Sequence, residues 1–222
     1  MKLLNNYIDH TLLKPTATKN DIIKLCDEAK EYKFFSVGVN SCYVALAKAE
    51  LKNTTVKICS VVGFPLGAIS TRAKVEEAKS ALYDGADEID MVMNVGLLKS
   101  KDFDAVWKDI EAVKRIMPNN ILKVILETCY LEEVEIIKAS ELAIQSGADF
   151  IKTSTGFGTD GATINDVKLM KSVASNEAKI KASGGIKDVK TALEYINLGV
   201  ERLGTSSGVA IVTNSKSSNS NY

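Results

Sequence analysis

Three residues carry types and positions that could do chemistry together: Lys152, Lys181 and Asp90. Lys152 sits inside the apolar run Phe150-Ile151-Lys152-Thr153, which reads as a buried strand and ends in the glycine-rich turn Thr155-Gly156-Phe157-Gly158. An unpaired buried ammonium costs several kcal/mol, so such an amine either pairs with an acid as a structural lysine or gives up its proton and becomes a nucleophile. Lys181 lies in a second short apolar run ahead of Ser183-Gly184-Gly185. Asp90 falls mid-strand in Glu88-Ile89-Asp90-Met91-Val92-Met93-Asn94, where period-two alternation puts Ile89, Met91 and Met93 on one face and Glu88, Asp90, Val92 and Asn94 on the other. Two like charges about 4 Å apart at an effective dielectric near 20 repel by roughly 4 kcal/mol, or about three pKa units, enough to bring one lysine towards neutrality. A neutral amine attacks carbonyls, and a nearby carboxylate can move the protons that such an attack releases.

The elements needed to bring these residues together follow from the hydrophobic pattern. Strand-like runs cover 6–10, 34–40, 56–62, 88–94, 121–127, 149–153, 180–183 and 202–205, and amphipathic segments predict helices over 19–32, 43–51, 72–84, 102–116, 131–145, 163–175 and 189–198. Thr18 is the expected N-cap of the first helix, and Pro118 closes the helix before the fifth strand. About eight strands alternating with helices in a little over 200 residues is the signature of a closed (β/α)₈ TIM barrel, with a doubly wound open sheet as the rival. A weak repeat, Asp84-Gly85-Ala86-Asp87, Ser146-Gly147-Ala148-Asp149 and Leu198-Gly199-Val200-Glu201, marks three helix-to-strand turns. The expected organisation is one barrel domain over 1–212 and a Ser/Asn-rich, flexible tail over 213–222.

In such a barrel the working groups come from the carboxyl ends of the strands. Lys123 and Glu127 share a strand face there, as an ion pair or as a second layer beneath Asp90, and Asn40 lies where a substrate chain would pass. Asp9 and His10 end the first strand, where they read as a turn or cap pair, His10 as a structural histidine rather than a ligand. Phosphate binding would rest on backbone amides at the three late turns, through Thr155, Gly156, Gly184, Gly185, Gly204, Ser206 and Ser207.

Composition excludes several function classes. The 222 residues carry 28 basic and 28 acidic side chains, so nothing offers the electrostatic footprint of a nucleic-acid or anionic-membrane partner, and no apolar span is long enough to cross a bilayer. Met1 to Thr11 has no apolar signal-peptide core, and the four scattered cysteines suit reduced thiols, so a cytoplasmic setting is expected. One histidine and no close cysteine pair make a metal site unexpected.

The stretches Tyr7–Pro15, Ser36–Asn40, Val62–Gly67, Asp87–Asn94, Phe150–Phe157, Lys181–Ile186 and Arg202–Ser207, in this order, resemble the motif set of the deoxyribose-phosphate aldolase family from about Tyr7 to Val212. The resemblance implies a cofactor-free, metal-independent class I aldolase on a (β/α)₈ barrel, joining acetaldehyde reversibly to D-glyceraldehyde 3-phosphate to give 2-deoxy-D-ribose 5-phosphate. It implies Lys152 as the Schiff-base lysine, Lys181 as the cation that keeps it deprotonated, Asp90 as the general acid/base, Asp9 near the sugar hydroxyl, a C-terminal tyrosine, Tyr222, able to fold back, and assembly into dimers or larger homo-oligomers. Some members carry a lysine just after the first late-turn glycine; Phe157 stands there in this chain. Another Schiff-base barrel enzyme of the transaldolase kind, and a non-catalytic sugar-phosphate binder, are the competing readings.

Overall fold

Eight short parallel strands form a closed barrel in sequence order in the computed structural model of the protein, which describes residues 3–215. The strands are β1 (Ile8–Leu12), β2 (Ser36–Val39), β3 (Lys57–Val62), β4 (Glu88–Val92), β5 (Ile121–Ile125), β6 (Phe150–Lys152), β7 (Lys179–Ser183) and β8 (Arg202–Thr205), with β8 pairing back onto β1. The closed order settles the choice against a doubly wound sheet. Around the strands run α1 (Lys19–Glu31), α2 (Val44–Glu50), α3 (Thr71–Tyr83), α4 (Val95–Lys99), α5 (Phe103–Arg115), α6 (Glu133–Gln145), α7 (Ile164–Ala174), α8 (Val189–Asn197) and α9 (Gly208–Thr213).

Local chemistry accounts for the boundaries. Thr18 and Asp21 form a reciprocal capping box on α1, and the side chains of Ser70, Asn94, Asp102, Thr163 and Asp188 each accept an amide of their helix's first turn. Most strands are shorter than the apolar runs that contain them, because the run continues into buried residues of the loops. Two short helices fall outside the sequence expectation. Asn94, which reads as the end of a strand, instead caps α4, and α9 crosses the boundary expected after Val212. Tyr222 lies outside the described residues.

The turn repeat has a mechanical meaning. Gly85, Gly147 and Gly199 adopt the positive φ that ends the helix, and the acid two residues on turns back to the preceding strand. Asp87 accepts the Ile58 amide at 2.9 Å, Asp149 that of Leu122 at 2.8 Å, and Glu201 that of Ile180 at 2.9 Å. Each acid thus fastens the start of one strand to the entry of the next.

Two shells result from the alternation. Outward residues such as Ile89, Met91, Val124, Ile151, Ile180 and Leu203 are fully buried against helix faces like Val106, Ile110 and Val113 of α5. The inward face carries most of the buried charge among the described residues. Among the described residues, no helix is long and apolar enough to cross a membrane.

Candidate active site

The barrel interior holds a continuous ion-pair lattice of seven side chains, none more than about 5% exposed: Asp9, Glu88, Asp90, Lys123, Lys152, Lys181 and Arg202. Strand register stacks them. Asp90 lies opposite Lys123, Lys152 opposite Lys181, and Lys181 opposite Arg202. Arg202 forms the floor. Its guanidinium lies 3.3 Å from the centroid of the Phe35 ring, bonds Glu88 Oε1 at 2.8 Å and donates to Asp9 Oδ1 at 2.7 Å. Above it, Lys123 Nζ lies 2.7 Å from Glu88 Oε2 and 2.8 Å from Asp90 Oδ1. Lys181 Nζ bridges Asp9 Oδ2 at 2.5 Å and Asp90 Oδ2 at 2.8 Å, and Lys152 Nζ donates to that same Asp90 oxygen at 2.7 Å. The Cys59 thiol donates to Asp90 Oδ1 at 3.0 Å. Gly204 makes this crowding possible, since a Cβ there would lie 3.0 Å from Lys181 Cε and 2.9 Å from Ser183 Cβ.

Counting charges identifies the odd member: three carboxylates face four cations. A surplus ammonium in a dry interior is costly, and the lattice balances when one amine is neutral. The environment selects Lys152. Burial lowers its pKa, the neighbouring Lys181 adds to the lowering, and Asp90 only partly opposes them. Lys181 and Lys123 are also penalised by burial, yet their carboxylates outweigh it and hold both above the ordinary lysine range. Burial by itself would raise Asp90 and Asp9, but the surrounding cations keep both well below the usual carboxylate range. The Cys59 thiol is pushed up to about 12, by burial and then by Asp90, and so stays protonated. Contrary to the expectation that Lys181 governs the state of Lys152, desolvation is the larger cause.

Lys152, Asp90 and Lys181, expected together from sequence, meet at one carboxylate oxygen. Other positions require correction. Asp9 does not end the first strand but is the second residue of β1, fully buried between Lys181 and Arg202, while His10 faces the other way and pairs with Glu28 at 2.7 Å. Lys123 and Glu127 do not act as a pair. Lys123 touches Asp90 directly, whereas the backbone leaves the strand ladder before Glu127, whose carboxyl bonds Thr155. Burial raises the Glu127 pKa, with the Thr155 bonds and the charge of Lys152 opposing. Asn40 donates to the Leu13 carbonyl at 3.3 Å.

Two hollows lie among the loops at the carboxyl ends of the strands, sharing Gly158. One is lined by backbone-rich residues including Gly156, Gly161, Gly184, Gly185 and Lys187. The other is apolar, between Pro65, Leu66, Val92, Val95, Tyr130 and Phe157, with Glu127 and Thr155 at its base. The phosphate residues expected from sequence divide accordingly. Gly156, Gly184 and Gly185 line the first hollow. Gly204 is a packing position inside the barrel, Ser206 and Ser207 are not among the lining residues, and the Ser207 amide already donates to Thr205 Oγ1 at 2.9 Å.

Sequence reasoning missed Arg202, Glu88 and Cys59 as members of the lattice, and Lys187 beside the glycine hollow. Glu88 shares the inward face of Asp90, two residues away, so strand alternation was the signal for it, whereas Arg202 opens a strand whose neighbour contributes Lys181, a pairing that only the register across strands reveals. Among the described residues, no group of three or more His, Cys, Asp or Glu is arranged to hold a metal ion.

Comparison with known proteins gives a consistent picture. Residues 4–214 match the family described as DeoC/LacD family aldolase. The chain is 57% identical over 209 residues to the deoxyribose-phosphate aldolase of Finegoldia magna, covering 94% of this chain and 98% of that one. Identity to the deoxyribose-phosphate aldolase of Thermococcus kodakarensis is 59% over 210 residues, covering 93% and 94%. Among solved structures, a putative deoxyribose-phosphate aldolase from Coccidioides immitis superposes with a TM-score of 0.94 at 44% identity, over 96% of this chain and 87% of that one. The deoxyribose phosphate aldolase of Aeropyrum pernix, described as a unique tetrameric structure, superposes with a TM-score of 0.89 at 32% identity, over 95% and 90%.

Proposed function

The chain belongs to the DeoC/LacD family of aldolases, and from that premise we propose that it is a deoxyribose-phosphate aldolase whose Schiff base forms on Lys152. It cleaves 2-deoxy-D-ribose 5-phosphate reversibly to D-glyceraldehyde 3-phosphate and acetaldehyde. The observation that carries the site assignment is the unbalanced lattice: three carboxylates, four cations, and one lysine whose surroundings favour the neutral amine.

The chemistry follows from that amine. Neutral Lys152 Nζ adds to the C1 aldehyde, and loss of water from the carbinolamine leaves an iminium. The cation lowers the barrier to breaking the C2–C3 bond by drawing the electron pair into an enamine, while the C3 hydroxyl loses its proton as that carbon becomes the aldehyde of glyceraldehyde 3-phosphate. Protonation of the enamine at C2 and hydrolysis of the iminium then free acetaldehyde and regenerate the amine. Asp90, in contact with both Lys152 and Lys181, is the acid/base that moves these protons, with water as relay. Lys181 keeps its proton and acts as a fixed positive charge, anchored by Asp9.

Phosphate binding falls to the glycine-lined hollow, where backbone and the Lys187 ammonium supply what Phe157 does not. Asp9 acts by holding Lys181, not by touching substrate. The enzyme works without a metal, in the cytoplasm, as a homo-oligomer in keeping with its tetrameric relative, and as a single barrel domain whose last helix, α9, runs past Val212 to Thr213. Incubation with acetaldehyde and borohydride followed by peptide mapping tests the mechanism. A reduced two-carbon adduct on Lys152, with activity insensitive to chelator, is expected; a label elsewhere overturns the assignment. Failure to cleave 2-deoxy-D-ribose 5-phosphate while cleaving another sugar phosphate points to a transaldolase-like specificity.

A further inference from the structure

Glu127 is a buried carboxyl that the reaction above does not use, and the chain adopts an unfavourable conformation to place it. Its φ of 57° and ψ of 63° lie in the left-handed region, which costs an L-residue about 1–2 kcal/mol. The backbone bulges there. Leu126 donates to the Lys152 carbonyl at 2.9 Å and Thr128 to the Thr153 carbonyl at 3.1 Å, so two steps on one side span a single step on the other. The bulge aims the side chain across the loop that follows Lys152. Glu127 Oε1 accepts the Thr155 amide at 3.0 Å, and Oε2 takes the Thr155 hydroxyl in a short bond. Thr155 Oγ1 in turn accepts the Phe157 amide at 3.0 Å. One residue further, a Cβ on Gly158 would lie 2.7 Å from Cys129 Sγ and 3.3 Å from Glu127 Cδ, so the two loops meet with no room for a side chain.

The clamped segment, Thr155 to Gly158, joins the end of β6 to the glycine-lined hollow. Lys152 lies three residues before it, and Gly156 and Gly158 line the hollow. We infer that Glu127 is a positioning residue: by gripping Thr155 at both amide and hydroxyl it sets the distance between the Schiff-base amine and the phosphate-binding turn. This rests on the aldolase reading above and extends it. A carboxyl that only filled space would gain nothing from a left-handed backbone, whereas one that must reach across from β5 to the β6 loop gains two bonds to a single residue.

The discriminating measurement compares 2-deoxy-D-ribose 5-phosphate with unphosphorylated 2-deoxy-D-ribose. A phosphate held out of register loses its help in orienting the reacting carbon, and misplacement by about 1 Å costs on the order of 10² in rate. In Glu127→Ala the ratio of kcat/KM for the phosphorylated over the unphosphorylated sugar is expected to fall by about tenfold or more. Glu127→Gln retains an acceptor for the Thr155 amide and a polar partner for its hydroxyl, so its ratio stays within about threefold of wild type. Thr155→Val, with folding of each variant checked by thermal denaturation, reproduces the fall, and Glu127→Ala with Thr155→Val falls no further than either alone. Equal losses on both sugars, or a Gln variant as impaired as the Ala variant, overturn the inference, the latter by making Glu127 a proton donor or acceptor. Borohydride trapping on Lys152 is the separate gauge of the underlying reading. Loss of that label from the wild type overturns the aldolase mechanism, while normal labelling with an unchanged sugar ratio overturns the role of Glu127 alone.

Discussion

Two buried lysine–aspartate pairs in this barrel look alike in isolation and differ in what surrounds them. Lys74 of α3 pairs with Asp109 of α5 at 2.5 Å, and Lys152 of β6 pairs with Asp90 of β4 at 2.7 Å; all four side chains are almost completely shielded from water. Burial lowers the pKa of both lysines, with the partner carboxylate opposing in each case. Their settings separate them. Lys74 has Asp109 to itself, donates also to the Val92 carbonyl at 2.9 Å, and Asp109 accepts the Thr71 hydroxyl at 2.7 Å. That unit is neutral, fully bonded and sealed between two helices and the end of β4. Lys152 shares Asp90 with Lys123 and Lys181, in a lattice with one cationic group more than carboxylates, and ends the strand whose following loop lines both hollows. A lowered lysine pKa therefore does not by itself mark a nucleophile; an amine left without a carboxylate of its own at the carboxyl end of a barrel strand does.

Removing each lysine in turn breaks the comparison most sharply. Lys152→Ala is expected to lower kcat/KM for 2-deoxy-D-ribose 5-phosphate by at least about 10⁴-fold and abolish borohydride trapping. Its urea midpoint should fall less than that of Lys74→Met, since the amine removed is neutral in the folded lattice and Asp90 keeps Lys123 and Lys181 as counter-ions. Lys74→Met should do the reverse. It leaves Asp109 buried and unpaired, costing roughly 3–5 kcal/mol in chemical denaturation, yet it keeps the Lys152 adduct, and adding Asp109→Leu restores part of the loss. Equal stability losses in Lys152→Ala and Lys74→Met would erase the distinction.

A smaller effect sharpens it. Lys181→Met removes a cation that disfavours the Lys152 ammonium and frees Asp90 to favour it, so the pKa of Lys152 rises. The acid limb of the kcat/KM profile then moves to higher pH, with a rate loss on the order of 10² or more at neutral pH. A limb that stays in place would show that burial alone sets the nucleophile.

The smallest effect lies in stability against pH. With its folded-state pKa below its unfolded value, Lys152 binds its proton more readily in the unfolded chain. Between the depressed value and about 10.4, each pH unit therefore stabilises the wild type by up to about 1.4 kcal/mol relative to Lys152→Met, and the difference is flat outside that window. Denaturation curves of both proteins between pH 7 and 11 measure it.

Much of this was legible in the sequence, because hydrophobic periodicity reports which face of a strand or helix is buried. It yielded the barrel, the alternation around Asp90, and a lysine placed inside a strand. It could not reveal partners set by register between distant strands, so Arg202 appeared only as the first residue of a strand, and Asp9 was taken for a rim residue. Glu127 was misread for a different reason. Period two extended past the end of β5 assigns it the face of Lys123, and a single left-handed residue breaks that period. Resemblance named the three central residues, but the surplus charge that distinguishes Lys152 required distances.

The acids of the three helix-to-strand turns have one more consequence. Asp87, Asp149 and Glu201 stitch β4 to β3, β6 to β5 and β8 to β7, so much of the barrel is assembled from two-strand staves. Asp90 belongs to one stave, Lys123 and Lys152 to the next, and Lys181 and Arg202 to the third. No stave alone neutralises its own inward charges. Joining the staves is thus what gives these ions their counter-ions, and only closure of β8 onto β1 brings Asp9 to Lys181 and Arg202, so an incomplete barrel would expose a strip of mismatched charge along its open edge.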